Sequence, residues 1–211
     1  MSTFTKSTYN KIASQFSASR SYIWPELKPF LEDVPENASV LDLGCGNGRL
    51  LLGLPKKIKY FGLDQSDTLL QLAKQLHPNN NFSEGNITEE SVWNSLPKYD
   101  FIFCIAVIHH LQSHKEHLFI LKQIKKHLKP NGKVLITAWN LWQPKILKHH
   151  FSSQSISLKL KTLNLRTLQI PFQNTPRFHF AHTKQYLKRL IREADMNLIV
   201  DKGSKNYLIH N

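Results

Sequence analysis

Apolar residues along this chain recur with two different periods, and the periods alternate. Ser39-Val-Leu-Asp-Leu43 is a short apolar stretch that reads as a strand, and Lys59–Leu63 is a second, ending at Asp64. Between Asp67 and Leu76 the residues Leu69, Leu70, Leu72, Ala73 and Leu76 fall on one helical face. Asn81–Glu84 is a weak third strand. Phe101–Val107 is apolar throughout, as a central parallel strand covered on both faces should be. His114–Leu128 predicts a helix with Leu118, Leu121, Ile124 and Leu128 inward; Lys129-Pro-Asn-Gly132 stops it, and Lys133–Trp139 is the next strand. A last helix over Thr183–Ala194 and strands over Asn197–Val200 and Asn206–Ile209 complete the pattern. Strands alternating with helices predict an α/β sheet.

Two segments lie outside that alternation. Residues 1–38 read as two helices, the second starting near Trp24-Pro25 with proline in its first turn. Residues 140–182 read as an insertion before the last helix. There Ile156, Leu158 and Leu160 alternate with Ser157, Lys159 and Lys161, and Leu163, Leu165, Leu168 and Ile170 continue the pattern. Its outward positions are basic or polar. With no repeat and no second apolar core, the expectation is one domain over 1–211, with a helical cap at 1–38 and a basic insertion at 140–182.

Charge changes the picture more than composition does. The chain has 28 Lys and Arg against 15 Asp and Glu, a net charge of +13. The first 116 residues hold eleven basic and twelve acidic residues, whereas residues 117–192 hold fifteen basic residues and no carboxylate. A near-neutral half followed by an acid-free basic half suggests a face for a polyanion, with Lys159, Lys161 and Arg166 as candidate contacts. The apolar run Phe101–Ile108 is too short for a membrane span, and the N-terminal residues lack the apolar core of a secretory signal. Cys45 and Cys104 fit a reduced, cytoplasmic protein, and zinc-ligand spacings are missing, so no metal is expected.

The candidate chemistry is concentrated in Val40-Leu-Asp-Leu-Gly44-Cys-Gly46-Asn-Gly48-Arg49. Glycines after a strand permit a tight turn and a close approach of ligand to backbone, and a helix beginning there would point N–H groups at the ligand. Dinucleotide loops carry G-x-G-x-x-G; here Arg49 stands where the third glycine would be, and Asp42 precedes the loop by two residues. The string resembles motif I of the class I S-adenosylmethionine methyltransferases. That resemblance implies a Rossmann-like, mostly parallel seven-stranded sheet with helices on both faces. It implies that Gly44, Gly46 and Gly48 wrap the methionine moiety and that Asp42 acts on its amino group. Asp64, beside Gln65, would accept the ribose hydroxyls, Asn86 and Ile87 would meet the adenine, and Ile105 would close over the cofactor.

Four further strings narrow the resemblance. Tyr9-Asn-x-Ile12-Ala-x-x-Phe16-Ser-x-x-Arg20 with Trp24-Pro25, Ala106-Val-Ile-His109-His110-Leu111, Trp139-Asn140-x-x-Gln143 and Arg177-Phe-His179-x-Phe together look like the tRNA wobble-uridine carboxymethyl methyltransferases, the methyltransferase domain of the AlkB-fusion type. The family's W-A-x-E-Q string departs here at Asn140 and Trp142. The resemblance implies methyl esterification of 5-carboxymethyluridine in the anticodon, with tRNA as partner and a small zinc-binding activator protein as a second partner. A carboxylate is ionised at neutral pH and needs no general base, so cations and positioning are what such a site requires. Arg20 and Arg177 are the candidate phosphate or carboxylate forks; His109 and His110, with Arg20, are the catalytic candidates; Trp24, Trp139 and His179 are candidate RNA contacts. Tyr9, Phe16 and Trp24 read either as base-stacking or as core. A small-molecule methyltransferase (quinone precursor, lipid or carboxylic metabolite) and an inactive RNA-binding scaffold stay open as other readings.

Overall fold

The computed structural model describes residues 3–143, 167–203 and 205–211. The alternating stretch at 156–165, and with it Lys159, Lys161 and Arg166, lies outside the described residues.

A seven-stranded sheet has the order β3-β2-β1-β4-β5-β9-β8. Its parallel part consists of β1 (Ser39–Leu43), β2 (Lys59–Asp64), β3 (Asn81–Glu84), β4 (Tyr99–Ile105) and β5 (Leu128–Trp139). The antiparallel edge consists of β8 (Ile199–Lys202) and β9 (Asn206–His210). From Phe101 to Cys104, β4 is apolar and buried on both faces. Phe101 and Phe103 pack with Val40, Leu135, Leu27 and Leu31 on one side, and Ile102 and Cys104 pack with Leu41, Ile136, Ile120 and Ile124 on the other. Each such fully buried side chain contributes about 1.5–3 kcal/mol. Strand order reverses between β1 and β4, and in open parallel sheets the crevice at such a reversal is where ligands bind.

The helices start where local capping allows. The helix α1 (Thr3–Ala18) is followed by a 3-10 turn at Pro25–Leu27 and α2 (Lys28–Glu32). α3 (Asp67–Leu76) begins at Ser66, whose hydroxyl accepts the Leu69 amide at 3.2 Å. After α4 (Glu90–Asn94), α5 (His114–His127) opens with a reciprocal cap, Ser113 Oγ accepting the Glu116 amide and Glu116 accepting the Ser113 amide. The last helix, α6 (Lys184–Glu193), is capped by Thr183. Among the described residues, no helix is long and apolar enough to cross a membrane.

Three details depart from the sequence pattern. Lys129-Pro-Asn-Gly132 does end α5, but β5 already begins at Leu128. Tyr99 pairs with Leu128 and Phe101 with Lys133, so the four residues form a bulge opposite Asp100 rather than a loop before the strand. The helix expected after the glycine loop is only a four-residue 3-10 turn, Arg49–Leu52, too short to supply a macrodipole. Within the insertion, the alternation of Leu168 and Ile170 becomes β6 (Thr167–Phe172), which forms an antiparallel hairpin with β7 (Thr175–Phe180). This hairpin and α3 are the elements against which α1 lies, so α1 is carried across the C-terminal ends of the parallel strands.

Candidate active site

The cleft at the sheet reversal has two chemically distinct halves. The first is built on β1 and β2. The Gly44 and Cys45 amides donate to the Leu63 carbonyl at 2.7 and 3.1 Å, binding the loop to the end of β2. Gly44, Gly46 and Gly48 all have positive φ, but their free sides differ. A Cβ on Gly44 would strike Val107 and one on Gly48 would meet His77 and Phe82, whereas at Gly46 it would meet nothing within 4 Å. Gly46 alone opens onto the cleft in this way; the other two serve the turn and its packing.

Asp42 and Asp64 give this half its charge. Asp42 is 3% exposed and accepts the Tyr60 hydroxyl at 2.8 Å; burial raises its carboxyl to about 7 against the pull of that hydrogen bond and of Arg49. Asp64 accepts the Gly46 amide at 2.9 Å and the Ser66 amide at 2.8 Å, with burial again pushing its pKa up. Gln65, Leu69, Gly85, Ile87 and Ile105 extend the wall. Asn86 does not line the cleft. Its carbonyl oxygen accepts from the Thr88 amide and hydroxyl, and its amide donates to Glu89, so the expected adenine contact is spent on a local turn. Cys45 is buried in the loop, where burial raises its thiol.

The second half comes from four distant segments: α1, the 3-10 turn Ile108–His110, the end of β5 and β7. Arg177 is 5% exposed and lies 5.7 Å from the Trp139 ring and 5.3 Å from that of Phe172. Its Nη1 donates to the Tyr9 hydroxyl at 3.4 Å, which meets His110 Nε2 at 2.9 Å, while His110 Nδ1 faces the Phe178 carbonyl at 3.3 Å. A carbonyl only accepts, so Nδ1 carries the His110 proton and Nε2 accepts from Tyr9. Both nitrogens are therefore engaged. Burial lowers it to about 4 and drives His109 well below its usual value. His109 Nδ1 accepts the Trp139 amide at 3.4 Å, which puts the proton on Nε2. Arg20 lines the same cleft with its guanidinium 4.6 Å over Phe16, and Trp24 lines it under Arg49.

His179 is not placed to touch an RNA. It is 1% exposed and stacked behind Trp139 at 5.1 Å and 8°. With His109 and His110 it brings three ring nitrogens within 4.8 Å of one another. A cation there would have to break the Tyr9–His110 bond and sit beside Arg177, so the arrangement suits a hydrogen-bonded cluster better than a ligand set. The chain of contacts through Tyr9, and the presence of Arg49 in the wall, were absent from the sequence-based site; a hydroxyl's partners 101 and 168 residues away leave no spacing signal.

The donor set fits a cofactor with adenosine and amino-acid parts: an acid at the end of each of β1 and β2, an open glycine between them, and apolar walls at Ile87 and Ile105. A family model described as a methyltransferase domain matches residues 16–200. A Saccharomyces cerevisiae protein named tRNA (carboxymethyluridine(34)-5-O)-methyltransferase is 32% identical over 143 residues, 66% of this chain and 49% of that protein. A Schizosaccharomyces pombe protein of the same name is 25% identical over 216 residues, 98% of this chain and 90% of its own length. The chain thus spans about half the length of the S. cerevisiae relative and most of the S. pombe one. Among solved structures, a Pyrococcus horikoshii protein superposes with a TM-score of 0.69 at 22% identity, covering 96% of this chain and 93% of its own. The S-adenosylmethionine-bound amino pentose methyltransferase CalS10 of Micromonospora echinaspora gives 0.65 at 16%, covering 94% and 95%. The chain belongs to the methyltransferase-domain family.

Proposed function

We propose that the chain esterifies an ionised carboxylate on tRNA, that of 5-carboxymethyluridine at the wobble position. One observation carries this reading. The acceptor half of the cleft presents Arg177 and Arg20 alongside histidines held neutral by burial, and the carboxylates lining the cleft, Asp42 and Asp64, lie in the other half. Such a half binds an anion and takes no proton from it. S-adenosylmethionine supplies an electrophilic methyl on a cationic sulfur. Arg177, held by Tyr9 and flanked by Trp139, orients the acceptor carboxylate, His109 lines the cleft wall, and Ile105 and Trp139 exclude water. The names of the S. cerevisiae and S. pombe relatives support the nucleoside, and the acid-free basic stretch 117–192 supports a polyanionic carrier.

The test is transfer of labelled methyl to tRNA lacking the ester, followed by dilute alkali. Label should enter tRNA and be released as methanol. Alkali-stable label would refute esterification. Label that enters only small carboxylic acids would transfer the reading to a small-molecule methyltransferase. Charge reversal at Lys159, Lys161 and Arg166 should weaken tRNA binding and leave cofactor affinity unchanged.

A further inference from the structure

Arg49 closes the glycine string. Gly48, at φ 76, ends the loop, and Arg49 opens the 3-10 turn that follows. Its side chain turns back into the cleft, with the guanidinium 4.6 Å over the Trp24 indole. Nη1 is buried and has no hydrogen-bond partner among the described residues. An unpaired buried guanidinium N–H is rare, because desolvation is uncompensated unless a ligand supplies the acceptor. Asp42, 3% exposed, lies on the same wall and acts electrostatically on Arg49.

We infer that Arg49 receives the α-carboxylate of the cofactor's methionine moiety, completing with Asp42 a cation–anion seat for a zwitterion. The α-ammonium and α-carboxylate of an amino acid share one carbon, so the seat needs one charge of each sign close together, with each left free for the ligand. Asp42 and Arg49 meet that requirement. Arg49 makes no ion pair within 4.0 Å among the described residues, and Asp42 accepts from a neutral hydroxyl rather than a cation. The other two cleft arginines are placed differently: Arg177, whose buried Nε also lacks a partner among the described residues, is held at Nη1 by Tyr9 in the acceptor half, and Arg20 hydrogen-bonds Ser19 and stacks on Phe16. Trp24 holds Arg49 by its face, which leaves the planar N–H edge free for a carboxylate. Burial lowers the Arg49 pKa to about 10, so it is still a full cation at neutral pH.

This inference rests on S-adenosylmethionine as the donor, and binding alone tests it. Calorimetry would compare S-adenosylhomocysteine with 5′-methylthioadenosine, which keeps the adenosine and sulfur and lacks the amino acid. Arg49→Gln should weaken S-adenosylhomocysteine roughly 10- to 100-fold, the range for a charge-assisted hydrogen bond, and change 5′-methylthioadenosine less than about twofold. Arg49→Lys, which keeps the charge and loses the fork, should fall between. Retained 5′-methylthioadenosine binding is also the control for folding. Equal loss of both ligands in both variants would make Arg49 a strut for the loop and overturn the inference. So would unchanged binding, or a selective loss that appears in Arg20→Gln instead. Failure of the unsubstituted protein to bind either ligand would instead fall on the cofactor reading.

Discussion

The two halves of the cleft solve opposite electrostatic problems. The β1–β2 half holds two carboxylates, the buried Asp42 and the half-buried Asp64, both with raised pKa, with backbone amides and one open glycine around them. The α1–β7 half holds arginines among neutral aromatic and imidazole rings. Burial raises the pKa of the acids and lowers that of the histidines, so the imidazoles of the acceptor half stay neutral at physiological pH. The first half is contiguous in sequence and bound together by main-chain hydrogen bonds. The second is assembled by folding alone.

The sharpest way to break the contrast is Gly46→Val. A β-branched residue at φ 56 is strained by about 1–2 kcal/mol, but its side chain would meet no protein atom at Cβ; it would fill ligand space. The protein should fold, with a lowered melting temperature, and show no cofactor binding by calorimetry. Arg177→Met tests the other half. Loss of the buried guanidinium should cut kcat/KM for the tRNA acceptor by about 10²–10³, with cofactor affinity unchanged. If cofactor binding fell equally, the two halves would not be separable.

A smaller effect is expected from pH. Asp42 stands at about 7, facing Tyr60, Arg49 and Asp64, and a bound ammonium favours its ionised form. Affinity for S-adenosylhomocysteine should therefore be full above pH 7 and fall as pH drops, approaching about tenfold per unit. Asp64, the residue expected to meet the ribose, would affect 5′-methylthioadenosine too, so a 5′-methylthioadenosine titration that stays flat assigns the effect to Asp42. His110, at about 4, should add nothing between pH 6 and 9. The smallest effect is that of Tyr9→Phe. It removes one hydroxyl from the Arg177–His110 relay and should cost about 1 kcal/mol, roughly fivefold, in KM for tRNA with cofactor binding intact. An equal loss of cofactor affinity would mean that α1 positions both ligands through Tyr9.

That division also explains what the sequence made legible. Alternation and apolar runs placed the parallel strands, because each one's burial is written in its own residues. The span Val40–Gly48 and Asp64 were readable because a loop that binds through its backbone needs glycines at fixed spacing. The sequence could not show that the Asn86 carbonyl also serves an Asx turn, accepting from the Thr88 amide and hydroxyl. In β7, Arg177 and His179 share a face, and alternation could not say that Trp139 would stand in front of only one of them. Arg49 looked like a failed glycine position; its value depends on Trp24 and Asp42, which approach it only in the fold. The bulge at 129–132 and the brevity of the turn at 49–52 are consequences of pairing and packing that no local propensity records.

The fixed tautomers of the histidines bear on the lifetime of the product. Ester hydrolysis needs a water molecule that loses a proton as it attacks. His109 directs its lone pair at the Trp139 amide, His110 directs its own at the Tyr9 hydroxyl, and His179 is sealed behind Trp139. Water entering the acceptor half meets N–H groups and guanidinium edges, none of which removes a proton. Under the proposed esterification, a methyl ester formed there would meet no general base in its own catalyst, and its removal would fall to a separate esterase or to spontaneous hydrolysis.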